Sequence, residues 1–205
     1  MKKLIVLIAS ATVALSGTTT WASPDGEPNG HARSHGDRSG NHCISPRGQD
    51  LNEVYGVSEQ IVTGFCAEVA SGEKWRAGAP WFMAKTFDQV PDDFVPVGAT
   101  PLDDFLAKFT HVRYVVDAGT RQERTVIHRT SSAMWTDTSG ETDGVSPITL
   151  GVFSPLRVGP HTLDKYWVFS AMHCDGLVAN VDENCLPAGE TFYGHTDFEV
   201  IAGHN

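Results

Sequence analysis

Positive charge is scarce in this chain. Its 15 Lys and Arg stand against 25 Asp and Glu, a formal net charge of −10. An acidic surface repels phosphate backbones and anionic headgroups, which makes nucleic acid and anionic lipid poor partners, and no nucleic-acid partner is expected. Long apolar runs are also missing. Leu4 to Leu15 is the longest and is broken by Ser10 and Thr12, short of the roughly 20 residues a membrane span needs. No stable membrane insertion is expected once this segment is removed. Catalytic signatures are absent too: there is no GxSxG elbow, HExxH, Walker A loop, GxGxxG fingerprint or zinc-finger Cys/His spacing. No cofactor is expected, and a binding or scaffolding role is expected ahead of catalysis. Triads are recognised by geometry and not by order, so a secreted hydrolase whose residues meet only in three dimensions stays open as the alternative.

What is present begins with an export signal. Lys2 and Lys3 precede the apolar run, and Thr20 and Ala22 satisfy a small-x-small cleavage rule, so residues 1–22 read as a signal peptide. Its removal makes the net charge more negative by two. A secreted or extracytoplasmic location is expected. Residues 23–42 are Gly, Ser, Pro, Asn, Asp, His and Arg with almost no apolar content, and are expected to be a disordered leader. The folded part, 43–205, is expected to be a single domain.

Four Cys in an exported chain read as two disulfides. Three pairings are possible. The most local, Cys43–Cys66 with Cys174–Cys185, is expected; the rival joins Cys66 to Cys174 across two distant strands. No CxxC and an even count argue against a catalytic thiol.

The folded part reads as mainly β. Strands are expected at 61–69, 81–87, 112–116, 121–129, 147–153, 162–171 and 191–201, with Phe192, Gly194, Thr196, Phe198 and Val200 on the core face of the last. Asp117-Ala118-Gly119-Thr120 closes a hairpin. One short helix interrupts the pattern. Thr100 can cap it, Pro101 opens it, Asp103 completes a capping box, and Leu102, Phe105, Leu106 and Phe109 form one apolar stripe. Short strands with Gly and Pro punctuation predict an antiparallel β-sandwich. Cys66, Trp81 and Cys174 give that architecture a resemblance to immunoglobulin-like domains.

The stretches YGVSEQIV (Tyr55–Val62), TPLDDFLAKF (Thr100–Phe109), VRYVVDAGTRQERT (Val112–Thr125) and HCDG…ENCLPAGE (His173–Glu190) carry a second likeness. Together they resemble a group of uncharacterised secreted bacterial proteins. The resemblance implies secretion and a shared fold, and transfers no site residues.

Five groups of residues are candidates for function. His31, His35 and His42 in the leader could hold copper or zinc weakly. Asp175, Asn180, Asp182, Glu183 and Asn184 offer oxygen ligands for Ca²⁺, although their order is not that of an EF-hand. Asp92/Asp93 and Asp103/Asp104 are paired carboxylates, but neighbours in sequence seldom converge on one bond. Among the aromatics Trp75, Trp81, Phe82, Trp135, Tyr166 and Trp167, the polar surroundings of Trp75 and Trp135 mark those two as the exposed binding pair. His111, His128, His161, His173 and His195, with Ser154 or Ser170, could assemble a Ser/His/Asp set, and nothing in the sequence selects one. The expected partner is an extracellular ligand or protein of unknown identity.

Overall fold

The computed structural model describes residues 42–46, 48–129, 134–137, 144–177 and 184–203; for 134–137 and 144–147 it describes the backbone. All of these belong to one compact unit, Arg38–Asn205. Residues 1–41, where the signal peptide and all of the leader except His42 are expected, lie outside the described residues, as do Asn180, Asp182 and Glu183.

Among the described residues the first element is a short helix not expected from the sequence, α1 (Leu51–Tyr55). The Asp50 side chain caps it by accepting from the Asn52 and Glu53 amides, and Gly56, at φ 61°, ends it in the left-handed region that glycine enters without strain. Strand β1 (Gln60–Val62) comes next. The long strand expected from 61 to 69 is broken here: the Thr63 hydroxyl accepts from the Phe65 and Cys66 amides and turns the chain before β2 (Glu68–Ala70). After it come β3 (Trp75–Pro80) and β4 (Met83–Ala84). Helix α2 (Pro101–Lys108) has the expected cap, with Thr100 and Asp103 bonding each other's backbone amides. The remaining strands are β5 (Phe109–Val116), β6 (Arg124–His128), β7 (Met134–Asp137), β8 (Gly144–Phe153), β9 (Gly159–Phe169), β10 (His173–Cys174), β11 (Cys185–Leu186) and β12 (Gly189–Ile201).

The fold is mainly β, with mixed sheets, one of which curls into a half-barrel. One sheet runs β1-β3-β8-β4, with β7 also on β8; the other runs β2-β12-β9-β5-β6; β10 and β11 make a separate pair. Among the described residues two pairings are parallel, β1 with β3 and β2 with β12. The expectation of an all-antiparallel arrangement is corrected there. The cause is the turn at Thr63, which carries the chain from the edge of one sheet to the edge of the other, so that each short strand joins its neighbour without a hairpin.

Inward side chains from both sheets share one core. Trp75 of β3 stacks on Phe153 of β8 at 4.2 Å and tilts against Phe198 of β12 at 5.0 Å; Tyr114 of β5 meets Phe153 edge-on. Tyr114 also donates its hydroxyl to the Thr149 carbonyl at 2.7 Å. Gly151 is needed between these rings, because a Cβ there would lie 2.9–3.0 Å from Phe153 and Tyr114. Phe105 of α2 and Phe109 just past its end are buried as the stripe requires, but Leu106 faces solvent.

Both disulfides take the local pairing, Cys43–Cys66 and Cys174–Cys185. The bridge from Cys66 to Cys174 that an immunoglobulin-like signature would use does not form. Two bridges suit an oxidising, extracytoplasmic environment. Among the described residues no helix is long and apolar enough to cross a membrane.

Candidate functional site

On β9, alternate residues His161, Leu163, Lys165, Trp167 and Phe169 are all buried on the core side. Four of these positions suit a core or its polar margin. Lys165 does not: it is a strand lysine in an apolar register, 8% exposed. Among the described residues its ammonium has no hydrogen bond and no ion pair. Burial alone acts on it, and pulls its pKa below the ordinary lysine range.

The neighbouring strand explains the space around it. β12 pairs with β9 from Gly189 to Val200, but the register slips between Phe192 and Gly194. That bulge leaves Tyr193 as the extra residue and re-aims its side chain. Tyr193 turns towards the core, where it meets Trp81 and Trp167 edge-on. Phe192 is thrown to the outside at 56% exposure, which corrects its expected place on the core face. One extra residue reverses the facing of everything before it.

Lys165 and Tyr193 line a cavity of about 320 Å³ between the sheets. Its walls are Gly78 and Pro80 of β3, Ile148 and Leu150 of β8, and Ile61 of β1; Leu51 and Tyr55 of α1 and the turn Thr63–Phe65 complete it. No acidic side chain is among these described lining residues. Burial raises the Tyr193 hydroxyl above its ordinary range, so it stays protonated and can donate. The Cys43–Cys66 bridge fixes the α1 side of the cavity to the turn, and Cys43, Leu51 and Ile61 form a small apolar cluster behind it. A ligand entering this space would meet apolar walls, one lone cation and tyrosine hydroxyls. Such concave, mainly apolar sites with a few polar groups are the usual form of small-molecule pockets.

A second buried group lies under α2. Asp104 accepts from Lys108 Nζ at 2.7 Å, from His173 Nδ1 at 2.8 Å and from the Val97 amide at 2.7 Å. Lys108 also donates to the Met172 carbonyl at 2.7 Å and lies over the Phe94 ring. Burial would raise the Asp104 carboxyl, but the bonds from His173 and Lys108 outweigh it and hold the group below the usual carboxylate range. Burial lowers His173 against the opposing pull of Asp104. His173 is therefore neutral with its proton on Nδ1. Its Nε2 is buried without a hydrogen-bond partner among the described residues. An Asp–His pair is two-thirds of a hydrolytic triad. Among the described residues no Ser or Thr hydroxyl bonds to any histidine, and Ser170 Oγ donates instead to the Lys108 carbonyl.

The other sequence candidates are dispersed. Trp75 is corrected from exposed to core: it is 1% exposed, and its Nε1 donates to the Ser154 carbonyl. Polar neighbours misplace it, because Trp75, Ala77 and Ala79 alternate inward and two alanines make a weak apolar signal. The side chain of Trp135 lies outside the described residues. Trp81 is half-buried, Trp167 is core, and Phe82 is exposed. Tyr166 sits on the outer face beneath the Arg113 guanidinium and beside Phe192. Asp92 and Asp93 are exposed in a turn, while Asp103 caps α2 and Asp104 is buried. Asp175 is buried and accepts from the Leu177 amide; burial raises its pKa. His42 pairs with Asp50, His161 with Asp117, and His195 with Asp164 and Asp197. His128 accepts from the Val152 amide. Among the described residues no three His, Cys, Asp or Glu side chains are grouped to hold a metal ion.

Lys165 and Tyr193 are not among the candidates that the sequence marks. The available signal was a lysine in phase with Leu163, Trp167 and Phe169. Comparison with protein-family models, curated proteins and solved structures finds no match for this chain.

Proposed function

We propose that this chain is an exported, disulfide-stapled β-sandwich that binds a small, largely apolar ligand in the cavity between its sheets, without catalysis. The observation that carries the reading is a lysine held in an apolar register at the wall of a mainly apolar cavity. Filling such a space with aliphatic side chains would favour the fold. Keeping it open beside a buried amine costs stability, and sites that break local rules in this way are commonly functional. The signal-like residues 1–22 and the two bridges support release into an oxidising compartment.

A neutral apolar dye tests this. Nile red is expected to gain fluorescence on binding the wild-type protein and to lose most of that gain with Gly64→Phe. Gly64 is an exposed residue at the edge of the cavity and has open space where a Cβ would stand, so a phenyl group there should obstruct the entrance with the fold intact. Equal dye binding by wild type and Gly64→Phe, or no binding by either, would overturn the proposal.

A further inference from the structure

We propose that the ligand is a small amphipathic monocarboxylate whose headgroup pairs with Lys165 while its apolar tail occupies the cavity. The inference rests on the binding reading above and adds the ligand's charge.

Three observations carry it. Lys165 is more than nine-tenths buried, lines the cavity, and has no carboxylate or hydrogen-bond acceptor among the described residues. An ammonium in that position lacks a counter-charge, and a single anionic group on a ligand would supply it. The described cavity lining contains no acidic side chain, so nothing in it competes for the amine or repels an anion. Finally, Tyr193 is turned into the same space by the bulge beside Gly194, the residue directly opposite Lys165. Its protonated hydroxyl adds a hydrogen-bond donor on the neighbouring strand. A carboxylate can accept from both groups, since each oxygen has two lone pairs.

The rest of the lining selects the tail. Leu51, Ile61, Ile148, Leu150 and Pro80 offer no hydrogen bonds from their side chains. A fully hydrated inorganic anion would lose its water there and recover too little. An acid with a short aliphatic tail gains burial for each methylene, about 0.8 kcal/mol in transfer data. The volume stands at the small end of ligand pockets, roughly 300–1,000 Å³, so a medium-chain acid fits the space better than a long one.

The test compares octanoate with octanol, which share a tail and differ in charge. Calorimetric titration of the full chain at neutral pH is expected to show octanoate binding on the order of tenfold to a hundredfold tighter, the range of a charge-assisted hydrogen bond. Lys165→Met is expected to lose that preference while still binding octanol. Octanol binding by the variant shows that its cavity is intact, and the wild-type comparison stands without any variant. Equal affinity for acid and alcohol in wild type overturns the charge assignment and leaves the binding reading standing. Binding of neither, together with no Nile red response, overturns both. Octanal captured on Lys165 by borohydride, with no preference for octanoate, would also overturn it, because the amine would then be a nucleophile towards carbonyls.

Discussion

Lys165 is the residue at which stability and function pull apart. Its stem packs beside Leu163 and Trp167, but its ammonium is taken from water with no described partner. Burying an uncompensated polar group costs about 1–3 kcal/mol by mutational measures. Lys165→Met, similar in length and apolar, is therefore expected to raise stability in urea denaturation by roughly 1–3 kcal/mol at neutral pH without ligand. The pH dependence has a definite sign. Below its lowered pKa the folded amine is charged and bears the full penalty. As pH rises from that value towards the ordinary lysine range, the folded amine has lost its proton while the unfolded chain keeps it. Across that window the unfolded chain binds more protons than the fold, so the wild type gains stability relative to Lys165→Met until the neutral form dominates in both states, and the gap should narrow with pH. A gap that stays constant with pH would mean that the amine is not desolvated.

Asp104 shows the opposite economy at the same scale, because each of its charges is met. Asp104→Ala would strand Lys108, which is 4% exposed, and is expected to cost about 3–5 kcal/mol in the same assay. The Asp104–His173 pair also makes the fold sensitive to acid. Unfolding lets His173 regain its ordinary basicity, so stability should fall as pH drops below the usual histidine range. It should fall again as pH passes down through the usual carboxylate range to the depressed Asp104 value. In His173→Asn the first of these losses should be absent from the urea midpoint measured against pH. Neither Asp104 nor Lys108 could be placed inside from sequence. At i and i+4 they look like a solvated helix pair, and only the packing of β10 and of the segment from Phe94 to Val97 against α2 encloses them.

At the scale of elements, legibility depended on how local the cause was. The cap of α2 is written in Thr100, Pro101 and Asp103, all within one turn, and it formed as expected. Strand alternation placed β5, β8 and β9 closely, since period-two burial is a property of each strand alone. The break between β1 and β2 depends on one hydroxyl at Thr63, and the facing of Phe192 depends on a bulge that exists only because β9 lies alongside. The candidate site hangs on that bulge. Removing one residue by deleting Tyr193 is expected to abolish octanoate binding, since it takes the tyrosine hydroxyl from the cavity. A protein with Tyr193 deleted that binds octanoate unchanged would separate the bulge from the site.

For the molecule as a whole, the two bridges have different duties. Cys174–Cys185 closes a loop of sequence separation 11 and should contribute about 2–3 kcal/mol. Cys43–Cys66 spans 23 residues and ties α1 to the turn that walls the cavity. Replacing both members of this second bridge by Ala is expected to weaken octanoate binding, whereas the same change at Cys174 and Cys185 should lower the melting temperature and leave binding near wild type. The mainly β character was legible because strand patterning along the chain is enough for it, and of the three cysteine pairings the sequence allows, the favoured local one is the one that formed. The mixed pairing of the sheets was not, since it is settled where the chain crosses between them.

The most direct measurement is the titration of the Lys165 amine itself, observed by NMR of the labelled Lys side chain with and without octanoate. The expected result is an amine that titrates below the ordinary lysine range when the cavity is empty and moves upward when the acid binds. An amine that titrates in the ordinary range, or one that octanoate leaves unmoved, would contradict the placing of an anion site at Lys165.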